Sequence, residues 1–169
     1  LDADPSSVAE VLGPLAAARP GLRVPGAADG WEVAVRAVLG QQITVVAART
    51  LAARLTERCG RFPRPEDLAS LPDEAFPMPR TRIATLRALA EAAPRLESPA
   101  DAHALVELPG IGPWTAGYVA LRLGDPDVFL PTDAGVLRAL GTGAREAARR
   151  AEAWRPWRSY AVAHLWASL

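Results

Sequence analysis

Proline and glycine break this chain into short segments that are rich in alanine, leucine and arginine. The 169 residues include 16 prolines and 13 glycines, so few regular elements can extend far without meeting one of them. The segments between them favour helix, because Ala, Leu and Arg are good helix formers and runs of β-branched residues are scarce. The sequence therefore predicts an all-α fold of roughly nine or ten short helices.

Capping residues predict where several of these helices begin and end. Ser7 and Glu10 have capping-box spacing, which indicates a first helix that ends by Pro20. Thr44 is expected to cap a helix that ends at Gly60. The other predicted helices cover residues 31–39, 80–93, 98–109, 113–124, 133–140, 142–154 and 156–169.

Composition excludes several classes of protein. The sequence has no apolar stretch of about 18 residues, the length that spans a membrane, and its acidic start does not resemble a secretion signal. The single cysteine, Cys59, excludes an internal disulfide and a four-cysteine iron–sulfur site. Two histidines, His103 and His164, are too few for most His-based metal sites. These features predict a cytoplasmic protein.

The charge balance gives no support for nucleic-acid binding. Nineteen basic and nineteen acidic residues cancel, whereas a typical DNA-binding domain is basic. Every basic residue is an arginine, because the sequence contains no lysine. Chemistry that needs a lysine amine, such as Schiff-base formation, is therefore unavailable to the side chains.

The sharpest local signal is the segment 108–116, LPGIGPWTA. A predicted helix ends there, a Gly-x-Gly turn follows, and Pro113 begins a new helix. Glycine permits positive φ and close approach of another molecule, and the first N–H groups of a helix bind anions. The segment suits a helix-hairpin-helix that grips a DNA phosphate. A bare Gly-x-Gly also fits an ordinary corner with a glycine at the helix end.

Four motifs in order give the chain its resemblance to a known family. They are VLGQQ at 38–42, LPGIGPWTAGY at 108–118, VFLPTD at 128–133 and WRPWRSYA at 154–161. Together they resemble the helix-hairpin-helix (HhH-GPD) DNA glycosylase superfamily, and the first and last point to its 3-methyladenine DNA glycosylase II branch. The resemblance runs from about Asp2 to Trp166.

The resemblance identifies Asp133 with the family's catalytic aspartate. Base excision passes through an oxocarbenium-like sugar, and a carboxylate stabilises its charge and orients water. Asp133 also begins a predicted helix, where aspartate is a common N-cap. Asp125 and Asp127 are interpreted as loop and turn residues.

The resemblance also implies roles for residues that contact DNA. Trp114, Tyr118 and Trp166 correspond to an aromatic base pocket, whereas Trp31, Trp154 and Trp157 are interpreted as core residues. Gln42 corresponds to a position where a family member has an apolar residue that fills the gap left by the flipped base. In this chain, the side-chain amide of Gln42 would fill that gap. The residues expected to contact DNA are Gln41, Gln42, Gly110, Ile111, Gly112 and Thr115.

For the whole chain, the resemblance implies two helical lobes with a DNA cleft between them. One lobe is expected over residues 30–124 and the other over 1–29 with 125–169, and the branch's usual N-terminal α/β domain is expected to be absent. No cofactor is expected to be required, but the hairpin carbonyls of Val106, Leu108 and Ile111 are expected to hold Na⁺ or K⁺.

The function implied is that of a monomeric, monofunctional glycosylase that removes 3-methyladenine and 7-methylguanine from double-stranded DNA. Backbone cleavage is not expected, because Trp114 stands where lyase-active relatives carry lysine. Three alternatives stay open: a glycosylase for deaminated or mispaired bases, a catalytically silent helix-hairpin-helix module, and a helical scaffold whose motifs are packing corners.

Overall fold

The computed structural model describes residues 3–92 and 95–169, and all of its regular structure is helical. This confirms the predicted all-α fold. None of the helices in these residues is long and apolar enough to cross a membrane. The predicted helix end at Ala93 lies outside the described residues.

The described residues form eleven α-helices, numbered here in chain order. They are α1 (Pro5–Leu12), α2 (Pro14–Ala17), α3 (Gly30–Leu39), α4 (Val45–Cys59), α5 (Pro65–Ser70), α6 (Arg80–Ala92), α7 (Pro99–Ala104), α8 (Pro113–Arg122), α9 (Ala134–Leu140), α10 (Ala144–Ala151) and α11 (Arg158–Ala167). Three 3-10 helices add Asp73–Ala75, Leu105–Glu107 and Glu152–Trp154.

The chain divides into two compact units. The central unit is Ala27–Val119, and the terminal unit combines Leu1–Gly26 with Ala120–Leu169. The second boundary lies within α8, so one helix begins in the central unit and ends in the terminal unit.

Helix α3 is the most buried α-helix of the central unit. Seven of its ten residues are buried, and α4 and α6 pack against it. Burial of large apolar side chains such as Val35, Val38 and Leu39 stabilises the fold by about 1.5–3 kcal/mol each. The indole Nε1–H of Trp31 donates to the Pro63 carbonyl at 2.8 Å, so the interpretation of Trp31 as a core residue is confirmed.

Helix α11 is the most buried α-helix of the terminal unit. Residues 159–165 are all buried, as expected for a helix covered on every side. Helices α2 and α9 pack against it. Trp154 and Trp157, interpreted as core residues, are only partly buried, and they pack on Phe129 and Tyr160 respectively.

The first helix differs from its prediction. Asp4, rather than Ser7, caps it, and the Asp4 carboxylate accepts the Ser6 amide at 3.1 Å. Gly13, at φ +52°, divides the predicted helix in two, and Pro14 begins the second part. The capping-box prediction was wrong because a proline at the first helical position moved the helix start towards the N-terminus.

The helix predicted between Thr44 and Gly60 corresponds to α4, and the prediction is confirmed at both ends. The Thr44 hydroxyl accepts the Ala47 amide at 3.2 Å, and Gly60 ends α4 in the left-handed conformation at φ +69°. The Thr44 cap therefore determines where the loop that contains Gln41 and Gln42 ends.

Candidate functional site

The predicted hairpin is present in the central unit. The 3-10 helix Leu105–Glu107 ends at an extended Leu108, whose carbonyl accepts the Ile111 amide at 3.1 Å. Helix α8 begins at Pro113, and the Gly112 carbonyl accepts the Ala116 amide at 3.1 Å. The chain thus turns between two helical segments and starts α8 with its first N–H groups at the turn.

Only the first glycine of the Gly-x-Gly turn adopts a conformation that favours glycine. Gly110 has φ +82°, and a Cβ atom there would lie 2.0 Å from Oγ1 of Thr85. Gly112 is outside the left-handed region, and a Cβ there would meet nothing within 4 Å. Local backbone and packing against α6 therefore explain Gly110, whereas Gly112 has no such explanation within the fold.

Gln41 links the end of α3 to the hairpin. Its side-chain Nε2 donates to the Gly110 carbonyl at 2.9 Å and to the Thr115 hydroxyl at 3.2 Å. The Arg82 guanidinium donates to the main-chain carbonyl of Gln41 at 2.5 Å. The motif at 38–42, helix α6 and the hairpin are therefore joined through hydrogen bonds, and sequence reasoning had not identified Arg82 or Thr85.

Gln42 is exposed and has φ +58°, which is uncommon for a residue with a side chain. The preceding residue, Gln41, is held by its hydrogen bond to the Gly110 carbonyl, and the helix cap Thr44 follows two positions after Gln42. A cavity of about 540 Å³ lies beside it; its lining includes Gln41, Pro79, Arg82, Thr85 and Gly110.

Two of the residues expected to contact DNA have buried side chains. Ile111 and Thr115 are each 4% exposed, and the Thr115 hydroxyl already accepts Gln41. A contact from either residue to DNA would therefore use its main chain. The amide of Thr115 is in the first turn of α8, where helical N–H groups point towards the turn.

Trp114 and Tyr118 lie one turn apart on α8 and stack on each other. Their ring centroids are 5.5 Å apart and their planes are within 5° of parallel. Both are partly exposed and face a cavity of about 410 Å³ that is also lined by Arg36, Ala37, Val45 and Ala48. Val45 is 68% exposed, so this part of the central unit presents an aromatic and apolar surface together with the side chains of Arg36 and Arg49.

Asp133 lies in the terminal unit at the N-cap position of α9. Its Oδ1 accepts the amide of Val136 at 2.8 Å and the indole Nε1–H of Trp166 at 2.8 Å. The carboxylate is partly buried. Asp133 therefore does cap a helix, and its assignment as the catalytic residue stays a prediction that this geometry is compatible with.

The segment that leads to Asp133 is fixed by residues that sequence reasoning missed. The buried Ser159 hydroxyl donates to the Asp125 carbonyl at 2.6 Å and accepts the Val128 amide at 3.0 Å. The Arg158 guanidinium donates to the carboxylate of Asp127 at 2.7 Å. Both residues belong to the WRPWRSYA motif, so that motif holds the loop before Asp133.

Among the described residues, no group of three or more His, Cys, Asp and Glu side chains is placed to hold a metal ion. The main-chain carbonyls of Val106, Leu108 and Ile111 are a different kind of donor. A carbonyl oxygen has two lone pairs, so the bond from the Ile111 amide to Leu108 leaves that oxygen able to bind a cation.

Comparison with known proteins agrees with these features. The chain matches the family described as "HhH-GPD superfamily base excision DNA repair protein" over residues 35–152. It is 40% identical over 189 positions to DNA-3-methyladenine glycosylase 2 of Escherichia coli (strain K12), covering 98% of this chain and 67% of that protein. It is 39% identical over 201 positions to the "Probable bifunctional transcriptional activator/DNA repair enzyme AlkA" of Mycobacterium tuberculosis. The last alignment covers all of this chain but only 40% of that relative.

Solved structures show the same fold. DNA-3-methyladenine glycosidase from Bacillus halodurans matches with a TM-score of 0.79 and 22% identity, over 99% of this chain and 89% of that chain. The Schizosaccharomyces pombe 3-methyladenine DNA glycosylase (Mag1), in complex with abasic DNA, matches with a TM-score of 0.73 and 23% identity, over 98% and 91%.

Proposed function

The chain belongs to the HhH-GPD superfamily of base excision DNA repair proteins, and from this premise we propose that it is a DNA glycosylase for alkylated purines. It would hydrolyse the N-glycosidic bond of 3-methyladenine and 7-methylguanine in double-stranded DNA. The name and 40% identity of the E. coli relative support the substrate class. The cytoplasm, where bacterial chromosomal DNA lies, is the corresponding proposed location.

The observation that carries the proposal is the setting of Asp133. Asp133 ends the VFLPTD motif and caps α9. One oxygen of its carboxylate accepts hydrogen bonds from the Val136 amide and the Trp166 indole. A carboxylate with a restricted position can face a sugar whose anomeric carbon becomes positive, and preorganised charge of this kind is usually the largest contribution to rate. An ordinary N-cap needs only the bond from Val136.

In the proposed reaction, the bond between the anomeric carbon and the base nitrogen breaks, and its electron pair leaves with the base. Asp133 stabilises the cationic sugar and orients the attacking water, whose proton passes to the carboxylate or to solvent. A purine methylated on a ring nitrogen carries a positive charge before it leaves. Such a base departs as a neutral molecule and needs no protonation by the enzyme.

The aromatic pair on α8 is proposed to favour cationic bases. Trp114 and Tyr118 present a stacked aromatic surface beside a cavity that Arg36 and Arg49 also line, and a cation over an aromatic face gains about 0.5–2 kcal/mol. That amounts to at most roughly thirtyfold in selectivity. Most discrimination would therefore come from the weaker glycosidic bond of an alkylated purine.

The hairpin is proposed to hold the DNA backbone through its main chain. Gly112 has no packing reason to be glycine, and its small size would allow a phosphate to approach the amides at the start of α8. Contacts of this kind position DNA without reading its sequence. A Na⁺ or K⁺ ion on the carbonyls of Val106, Leu108 and Ile111 is proposed to stabilise the hairpin.

We propose that base removal is not followed by cleavage of the DNA backbone. The sequence contains no lysine, so no side-chain amine can form a Schiff base with the opened sugar. Borohydride should trap no covalent complex between the chain and DNA that contains the lesion. A trapped adduct would contradict this part of the proposal.

The proposal as a whole is tested by base release. Duplex DNA that contains 3-methyladenine, 7-methylguanine, hypoxanthine or uracil is mixed with an excess of the protein, and the single-turnover rate of base release is measured for each lesion. The expected order places 3-methyladenine and 7-methylguanine first. Trp114→Ala should slow release of the charged bases more than that of hypoxanthine. Faster release of hypoxanthine or uracil by the unmodified chain would favour the deaminated-base alternative, and no release at all would favour a silent DNA-binding module.

A further inference from the structure

The family resemblance places Trp166 in the base pocket, and in the terminal unit the edge of its indole ring contacts Asp133. Nε1–H donates to Oδ1 of Asp133 at 2.8 Å, and the Val136 amide donates to the same oxygen at 2.8 Å. Both distances are those of good hydrogen bonds, and bonds to an ionised carboxylate are stronger than neutral ones. Two donors on one oxygen restrict rotation of the carboxylate about both side-chain torsions.

The close approach of the indole to Asp133 depends on Gly135. A Cβ atom on this residue would lie 3.0 Å from Cδ1 of Trp166 and 3.1 Å from Oδ1 of Asp133. Gly135 is helical, where alanine would be the better helix former. Its backbone is not in the left-handed region, so the requirement for glycine there comes from the side chains of Asp133 and Trp166.

The other end of α11 fixes the segment that precedes Asp133. Ser159 bonds to the main chain of Asp125 and Val128, and Arg158 bonds to Asp127. Trp166 lies two turns further along the same helix. One buried helix thus determines the path of the loop before Asp133 and the orientation of its carboxylate.

We infer that Trp166 is a positioning residue for Asp133 and that Gly135 is the spacer that permits it. The inference rests on the proposed function, because it gives the indole N–H a part in the same base excision. Trp166 acts through Asp133: its N–H holds the carboxylate at the angle from which it faces the reacting sugar. Displacement of such a group by about 1 Å can reduce a rate roughly a hundredfold.

The first test removes the N–H donor and keeps the aromatic face. Trp166 is replaced by benzothienylalanine, in which sulfur stands in place of the indole N–H, and separately by Phe. The single-turnover rate of 3-methyladenine release should fall about tenfold to a hundredfold, while the dissociation constant for the DNA stays unchanged. A stacking role alone would leave the rate of the benzothienyl variant near that of the unmodified chain, which would overturn the inference.

The second test leaves Trp166 in place and adds one methyl group. Gly135→Ala should move the indole away from Asp133 and slow base release, although it should not destabilise α9 as a helix. Gly143→Ala is the matched control, since Gly143 is exposed, has φ −85°, and a Cβ there meets nothing within 4 Å. Equal release rates for the two variants and the unmodified chain would contradict the spacer role.

A readout independent of activity separates this inference from the proposed function. The chain has five tryptophans, so its ¹⁵N–¹H spectrum contains five indole signals, and the one lost in Trp166→Phe belongs to Trp166. That proton should shift upfield and exchange faster with water in Gly135→Ala but not in Gly143→Ala. An unshifted signal would refute the hydrogen bond. An unmodified chain with the expected signal and no base release would instead refute the proposed function, and the positioning role with it.

Discussion

The two units hold their predicted functional residues in different ways. In the central unit, the hairpin is shaped by main-chain conformation: Gly110 is left-handed, and the Gln41 side chain binds the Gly110 carbonyl. In the terminal unit, Asp133 is held by a side chain that lies 33 residues further along the sequence. The hairpin should therefore respond to changes in backbone freedom as well as to the loss of the Gln41 amide, whereas Asp133 should respond mainly to the loss of single polar atoms.

The difference also separates stability from chemistry. A change at Gly110 affects packing against Thr85 and the hairpin backbone together, so stability and DNA binding should fall in parallel. A change at Asp133 can remove charge while its helix-capping oxygen stays in place, so activity should fall alone. The following predictions test this contrast, beginning with the largest effect.

Asp133→Asn should reduce base release by at least about a hundredfold, because the charge that stabilises the cationic sugar is lost. Asn keeps an Oδ1 that can accept from Val136 and Trp166, so unfolding free energy should change by no more than about 1 kcal/mol. Single-turnover release from methylated duplex DNA and urea unfolding measure the two quantities. Near-normal release by the Asn variant would leave Asp133 with its capping role only.

Gly110→Ala should destabilise the central unit by about 2–4 kcal/mol, since left-handed strain and overpacking against Thr85 combine. Affinity should fall equally for unrelated duplex sequences, because phosphate contacts carry no sequence information. Urea unfolding and binding to two duplexes of different sequence provide the measurement.

Gly112→Ala is the matched control for the hairpin. It should change stability by less than about 0.5 kcal/mol, because a Cβ there meets nothing within 4 Å and the backbone is not left-handed. A loss of DNA affinity without a loss of stability would locate the phosphate near this residue. If Gly110→Ala and Gly112→Ala destabilise the chain equally, the explanation of Gly110 by packing against Thr85 is wrong.

Gln41→Leu should cost about 0.5–1.5 kcal/mol of stability, because the exposed Gly110 carbonyl and the Thr115 hydroxyl lose a donor. Thermal or urea unfolding detects the change. Gln42→Gly makes the comparison sharper: it removes an exposed side chain at φ +58° and should leave stability equal or slightly raised. A larger loss of stability at Gln42 than at Gln41 would reverse their assigned roles.

The smallest effect is expected at the partly exposed carboxylate of Glu146. Hydrogen bonds from Arg149, and then from Arg150, lower the pKa of Glu146 from 4.5 to about 2. Its stabilising contribution is complete above pH 4.5 and is lost as the pH falls towards 2. Carboxyl ¹³C titration by NMR should show the low midpoint, and Arg149→Gln should raise it. Solvent screens this partly exposed carboxylate, so the effect on unfolding should be small, unlike the effect of changes at Asp133.

Several features could be predicted from the sequence because local interactions determine them. Thr44 and Gly60 bound α4 through a side-chain cap and a left-handed glycine, and both devices act within a few residues. The hairpin at 108–116 is recognisable for the same reason. The capping box at Ser7 and Glu10 failed where Asp4 and Pro5 offered a competing local start, which short-range rules rank poorly.

What the sequence by itself determined was the all-α fold, the hairpin, the order of the motifs and the absence of lysine. Only the tertiary structure decided which residues the motifs bind: Gln41 to the hairpin, Arg82 to Gln41, Ser159 to the loop before Asp133, and Trp166 to Asp133 itself. The physical reason is range. Helix formation and turns depend on neighbours along the chain, but a buried polar side chain finds its partner wherever packing brings one within about 3 Å, and no periodicity records that distance.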